Sequence, residues 1–428
     1  MGLCKRAGIV HHFIYMKFFN DIYRPDAKVA RFLSVLVLSG IAYGLYRGIQ
    51  DNYLAEIVHI SPFERGIVEF FREIPGLLVV IILALMYRFS DSRIFKIGSA
   101  LMAAGLVGLL LSSVNFVGVK FVVVIFMVVF SSGEHIIMPV KTTLTLDLAK
   151  REKSGAALGL SGAIGQLGNI AGYVIVTGLF YIMSRIGFKR NDIMQFRIIF
   201  AAATALMTAA VLVSLALQET TLKSQRRRFY FAKKFTKFYM LEVFYGARKQ
   251  IFITFAPYVL ILQYGADTSI IAMLLGICAV FGFFLNPLVG RIIDRLGYKV
   301  VMVCDTLILI VVCLLYGFSH RLFPPHIAFI VVCVNYILDS IISMASMASN
   351  IYVQRIASSQ EEITATLSTG ISVNHVISIF IALMGGWIWK VTGIEVLFSL
   401  SAFLGLLNSV YAATINVEKE EVKTPSGT

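Results

Sequence analysis

Water-loving residues are scarce in this chain. Only 14% of its 428 residues are Asp, Glu, Lys or Arg, and the acids number 24 against 38 lysines and arginines. Hydrophobic residues make up 58%, and the mean hydropathy is +0.82. Soluble domains average roughly 45–50% apolar residues, so this excess is too large for a water-soluble core and lipid must solvate the chain. No Gly-rich phosphate loop followed by Lys-Ser/Thr occurs, which argues against ATP drive. No Ser-His-Asp or metal-ligand spacing emerges from the loops, so neither an enzyme, a cofactor nor a metal is expected. The five cysteines are Cys4, Cys278, Cys304, Cys313 and Cys333, and the last four sit in apolar runs. They read as buried small hydrophobes rather than disulfides.

What the chain has instead is long apolar runs. A spanning helix needs about 20 apolar residues, and the hydropathy pattern yields twelve spans. Six are expected at 30–58, 62–88, 94–113, 119–148, 154–183 and 194–217, and six at 238–263, 269–293, 300–318, 325–356, 363–389 and 395–415. The organisation is then a cytoplasmic N-terminal segment (1–29), a six-helix bundle (30–220), a basic linker (221–237), a second six-helix bundle (238–415) and a cytoplasmic tail (416–428) that reads as disordered. The N-terminal segment lacks the apolar core and cleavage site of a signal peptide. Its His11, Phe13, Ile14, Lys17, Phe18 and Phe19 form either an amphipathic surface segment or a disordered tail. The net charge of +14 would suit nucleic acid, but in a membrane chain basic residues collect on the cytoplasmic side. Arg88, Arg93, Lys96, Lys150, Lys153, the linker, Arg291, Arg295, Lys299 and Arg355 fall on one side, which places both termini in the cytoplasm of a multi-pass cell-membrane protein.

The stretch Gly290-Arg291-Ile292-Ile293-Asp294-Arg295-Leu296-Gly297-Tyr298-Lys299 lies between two apolar runs and reads as a tight charged turn. Glycine permits such a reversal. The pattern Gly-x-x-x-Asp-Arg-x-Gly-x-Lys resembles the signature loop of the major facilitator superfamily, which joins the second and third helices of each six-helix half. Tyr87 to Lys96 is a worn copy that keeps Asp91, Arg93 and Lys96. Two further blocks, His59–Gly76 and Gly246–Phe252, resemble a bacterial branch of that superfamily with no firmly assigned substrate. The halves also repeat internally: Tyr43-Gly44 matches Tyr245-Gly246, and Glu152–Leu158 matches Glu361–Leu367. The resemblance implies an all-α membrane protein of two pseudo-symmetric bundles, with Asp91, Arg93, Gly290, Asp294, Arg295 and Gly297 in gating turns.

Charged residues at membrane depth cost about 2.5–3.5 kcal/mol each on insertion scales. They persist where they pair or line a wet cavity. Glu134, Met138, Lys141 and Thr145 share one face of the fourth helix, with His135 a quarter-turn away. A buried carboxylate beside an imidazole is a candidate proton site, set against a plain structural pair. Arg47 and Asp51 are expected to pair one turn apart, and Glu69, Arg72 and Glu73 cluster before Pro75 and Gly76. Arg248, Asp339, Asn374, His375, Gln166 and Asn169 add polar groups at mid-span. In the superfamily fold the first, fourth, seventh and tenth helices line the cavity, which would point Arg47, Glu134, Lys141, Arg248 and Asp339 inward. Gly159, Gly162, Gly165, Gly168 and Gly172 read as a close-packing seam on the fifth helix.

The expected function is secondary active transport of a small organic solute by alternating access. Proton coupling and an anionic or zwitterionic cargo are favoured, with Arg248, Lys141 and Arg47 holding the negative group. The alternatives are an exporter of amphipathic or cationic compounds, using Glu134 and Asp339, and a membrane-embedded sensor that binds without transport. A monomer in contact with lipid, solute and protons, and not with nucleic acid, is expected.

Overall fold

The computed structural model describes residues 21–24, 26–112, 117–190, 192–217 and 231–415. Within them run twelve long helices: α1 (Ala27–Ile57), α2 (Pro62–Leu85), α3 (Asp91–Leu111), α4 (Val119–Leu148), α5 (Ser154–Arg185), α6 (Ile193–Leu215), α7 (Thr236–Leu262), α8 (Thr268–Leu296), α9 (Tyr298–Leu322), α10 (Pro325–Ile356), α11 (Gln360–Thr392) and α12 (Ile394–Ala413). Their ends fall within four residues of the expected spans. The candidate amphipathic segment at His11–Phe19, most of the linker and the tail lie outside the described residues.

Ten of the twelve helices are long and apolar enough to cross a bilayer. The other two are α2, which carries Glu64, Arg65, Glu69, Arg72 and Glu73, and α7, which carries Lys237, Glu242, Arg248 and Lys249. The two helices least suited to lipid therefore depend most on partners within the protein.

The helices form two bundles of the same design. In the first, α1 packs on α5 and α6, α3 on α4 and α6, and α2 on α4. In the second, α7 packs on α11 and α12, α9 on α10 and α12, and α8 on α10. The bundles meet along α2–α11 and α5–α8. The repeated Tyr-Gly pair has one role in both halves. A Cβ on Gly44 would lie 2.3 Å from the Asn169 carbonyl oxygen of α5, and one on Gly246 would lie 2.9 Å from the Asn374 side chain of α11. The seam on α5 is narrower than the glycine run suggests. Gly165, Gly168 and Gly172 lie against the α1 backbone at Gly40–Leu45, whereas a Cβ on Gly159 or Gly162 would meet nothing within 4 Å.

Odd-numbered connections lie on one face of the molecule, here called the opposite face, and even-numbered ones on the terminal face. On the terminal face, cations cap helix C-termini, where the backbone dipole favours positive charge. Lys96 Nζ donates to the Leu217 carbonyl beyond α6 at 2.6 Å, and Lys299 Nζ to the Ile415 carbonyl beyond α12 at 2.7 Å. The lysine that survives in both signature stretches thus ties each half's third helix to its sixth. The turn itself is smaller than expected. Gly290–Leu296 continues α8 as helix, because only Gly297 adopts the left-handed region, with φ of +83°. Tyr23 joins this face, its hydroxyl pushed up to about 12 by burial and donating to the Ala157 carbonyl at 2.9 Å.

The opposite face is closed. Asn52 donates to the Ala266 carbonyl at 3.2 Å, and Arg190 to the Gly265 carbonyl at 2.7 Å while pairing with Glu56 at 2.7 Å. Ser269 donates to the Thr177 carbonyl at 3.1 Å, and Gly66 packs directly on the Ala382 carbonyl. Toward the terminal face, Gly155, Gly159 and Gly162 of α5 and Gly290 of α8 have no neighbour within 4 Å. The bundles are in contact on the opposite face.

Gly44→Val places a branched side chain on the Asn169 backbone, an overpacking that costs about 1–3 kcal/mol. A fall in the thermal unfolding midpoint in detergent is the expected result, with Gly159→Val, which meets open space, as the neutral control.

Candidate functional site

The site grows out of α2. Ser61 caps the helix, accepting from Glu64 N–H while the Glu64 carboxylate accepts from Ser61 N–H at 2.8 Å, and Pro62 occupies the first turn. That start fixes the rotation that points Arg65, Glu69 and Glu73 inward along one face. Arg65, with a fully buried side chain, lies 2.7 Å from Glu69 and 3.2 Å from Asp51 of α1. Arg72 Nε donates to Glu69 at 3.0 Å, and its Nη2 to Glu73 at 2.6 Å. Arg72 also approaches Glu134 of α4 at 3.9 Å.

The second bundle answers with neutral groups. Gln250 of α7 donates to Glu69 at 3.2 Å, and the Tyr258 ring lies 5.6 Å from the Arg65 guanidinium carbon. His375 Nδ1 of α11 stands 2.8 Å from Glu73. Asp51–Arg65, Arg65–Glu69, Arg72–Glu73 and Arg72–Glu134 all lie inside the first bundle. Arg248 and Asp339 pair inside the second at 3.1 Å. These ion pairs lie within a half, and what crosses to α2 is an amide, a phenol ring and an imidazole.

Several expected pairings differ. Arg47 donates to Gln50 at 2.8 Å instead of pairing with Asp51, which is taken by the deeper Arg65. Glu134 and His135 do not form a pair. Glu134 turns to Arg72, while His135 packs its ring on His375, with centroids 5.1 Å apart. The carboxylate–imidazole pair of the site is Glu73–His375. α4 runs unbroken through Pro139. Lys141 is half-buried, Gln166 donates to the Ala279 carbonyl of α8 at 3.3 Å, and Asn374 donates to Glu242 at 3.3 Å. Ser349 of α10 also donates to Glu242 at 3.2 Å. Met344–Ser346 tightens into a 3-10 turn within α10.

Arg248 stands out for what it leaves unfilled. It is 1% exposed, and its Nε and Nη2 have no hydrogen-bond partner among the described residues. Its guanidinium carbon lies 5.1 Å from the Tyr245 ring, with Lys249 Nζ 5.6 Å from the same ring. Sequence reasoning missed Arg65, Glu242, Gln250 and Tyr258 as members of the site. Arg65 carried a readable signal, since it lies four residues before Glu69 on the same helical face.

On the terminal face, Asp91 is buried at the start of α3, and Arg93 lies over the Phe89 ring at 5.5 Å. Asp294 and Arg295 are exposed at the end of α8.

The family model of the Major Facilitator Superfamily matches residues 32–244 and again 238–428. The chain belongs to the Major Facilitator Superfamily. It is accordingly a multi-pass membrane protein and a secondary transporter, not an enzyme. Solved structures agree on the fold. A D-xylose–proton symporter is 14% identical with a TM-score of 0.72, over 93% of this chain and all of that one. The nucleoside transporter NupG, as a point mutant, is 13% identical with a TM-score of 0.71, over 91% and 100% of the two chains. The inward-open xylose transporter XylE from E. coli is 13% identical with a TM-score of 0.67, over 92% and 98%. No curated protein matches the sequence.

Arg65→Met would leave Asp51 and Glu69 buried beside fewer cations. Removing one member of such a buried network costs about 3–5 kcal/mol. Thermal unfolding in detergent should show that loss, and the double variant Arg65→Met with Asp51→Asn should recover part of it.

Proposed function

We propose that this transporter carries a small anionic or zwitterionic organic solute by alternating access, driven by the proton gradient. The supporting observation is the pair of unfilled, buried Arg248 donors beside Tyr245 and Lys249. A buried donor without an acceptor costs about 1–3 kcal/mol, and a carboxylate or phosphate oxygen from a solute would satisfy both nitrogens at once. Lys141 and Arg47 hold the negative group from the first bundle. Asp339, Asn374, His375, Gln166 and Asn169 supply the remaining polar contacts, and Asp339 keeps Arg248 oriented. Glu134 takes the coupling proton, with His135 on the same helix. Its half-buried carboxylate and loose 3.9 Å contact with Arg72 leave room for a proton. Cationic cargo is less well supported, because Asp339 and Glu134 both lie against arginines.

The protein works as a monomer in the cell membrane with both termini in the cytoplasm, the orientation that puts its basic face inside. The bundles then part toward the cytoplasm, and the turns at Asp91, Arg93, Gly290, Asp294, Arg295 and Gly297 act as gates on that side.

A thermal-shift screen of the purified protein against organic acids, amino acids and phosphorylated metabolites tests the cargo class. A stabilising compound should be anionic or zwitterionic, and Arg248→Ala should abolish its shift. A hit that still stabilises Arg248→Ala would move the site elsewhere. In liposomes under a pH jump, Glu134→Gln should keep solute exchange and lose uphill accumulation. Accumulation that survives the substitution removes Glu134 from the coupling role.

A further inference from the structure

Three metal-capable side chains converge where the bundles meet. Glu73 of α2, His135 of α4 and His375 of α11 each present one donor atom, all within 4.8 Å of one another. All three are buried or half-buried. We propose that they form a binding site for one divalent first-row transition-metal ion of the Zn2+ type, which clamps α2 and α4 of the first bundle to α11 of the second.

The donor chemistry selects the ion. Two imidazoles and one carboxylate suit Zn2+ and its neighbours, whereas Ca2+ and Mg2+ prefer all-oxygen shells. Tetrahedral coordination at about 2.0–2.2 Å separates ligand atoms by about 3.3–3.6 Å, so side-chain shifts of about 1 Å close the set.

The orientation of His135 supports the site independently of the clustering. Its Nδ1 lies 2.8 Å from the Ser131 carbonyl oxygen. A carbonyl only accepts, so Nδ1 carries the hydrogen and the neutral ring's lone pair is on Nε2. Metal-ligating histidines characteristically use the other ring nitrogen in this way. That Nε2 faces Gly76: a Cβ there would come within 2.6 Å of it and within 2.8 Å of His375 Cε1. The two rings therefore share space that only a glycine leaves. Glu73 is oriented as well. Arg72 holds Oε1 at 2.6 Å, while Oε2 faces His375. Three protein ligands leave a fourth position for water or a solute oxygen.

The inference does not depend on which solute is carried, and its test needs no transport. Full-length protein made without a polyhistidine tag is stripped with chelator in detergent and titrated with Co2+, read by its visible d–d bands. One ion per chain is expected, displaced by Zn2+. His375→Gln, His135→Gln and Glu73→Gln should each weaken binding by roughly tenfold or more. The double variant His11→Gln with His12→Gln should bind as the parent does. His375→Gln retains a hydrogen-bonding side chain beside Glu73, and a single symmetric size-exclusion peak confirms that it folds. Zn2+ should also slow amide hydrogen exchange in α2 and α11 of the parent but not of His375→Gln. No saturable Co2+ band, or a band unchanged in His375→Gln, overturns the site. Binding without slowed exchange in those helices overturns the clamp.

Discussion

A charge buried in a membrane protein must keep its counter-charge through every state the protein visits. That constraint explains the division of labour around α2. Leaving either Glu69 or Glu73 without a cation at membrane depth would cost several kcal/mol. Both are instead held by Arg65 or Arg72 from the same helix, and Asp51 joins from the same bundle. The bundles then close on each other through Gln250, Tyr258 and His375. Breaking a hydrogen bond from a neutral side chain to a carboxylate costs about 1.5–3 kcal/mol, and the carboxylate still keeps its cation. The opposite face can therefore open without separating a permanent ion pair, which alternating access around a midplane site requires.

The same logic separates the rigid from the movable surfaces. Within a half, backbones approach so closely that no side chain fits, as at Gly44 on Asn169 and Gly168 on Gly40. Such seams hold each bundle as one body, because packed interiors resist deformation. Between halves, Asn52, Arg190 and Ser269 reach backbone carbonyls across the closed face. These are individual hydrogen bonds, two of them from Arg190, beside the close backbone approach of Gly66 to Ala382 across the same interface. Lys96 and Lys299 reinforce the division by fastening each half's third helix to the end of its own sixth.

How much of this was legible in the sequence depended on the range of the interaction. Helix positions were readable because apolar runs of about 20 residues are a local property. The repeat was readable because Tyr-Gly and the basic turns recur in order. The α2 cluster was partly readable, since Arg65, Glu69, Arg72 and Glu73 share helical spacing. What failed was the choice among competitors. Arg47 and Arg65 both had access to Asp51, and the more deeply buried Arg65 takes it. The proton-site pairing of Glu134 with His135 rested on adjacency in sequence, but neighbouring residues on a helix point about 100° apart. The imidazole that does meet a carboxylate comes from 302 residues away, a pairing that only the fold creates.

With Gln250–Glu69, Glu73–His375 is one of two carboxylate contacts that cross between the bundles at this depth. Glu73 keeps Arg72 when its contact with His375 is released. An ion coordinated by Glu73, His135 and His375 would favour the closed face, because it engages both bundles at once. Closure of the opposite face would then be linked to that ion, and by reciprocity the ion would bind best when the face is closed.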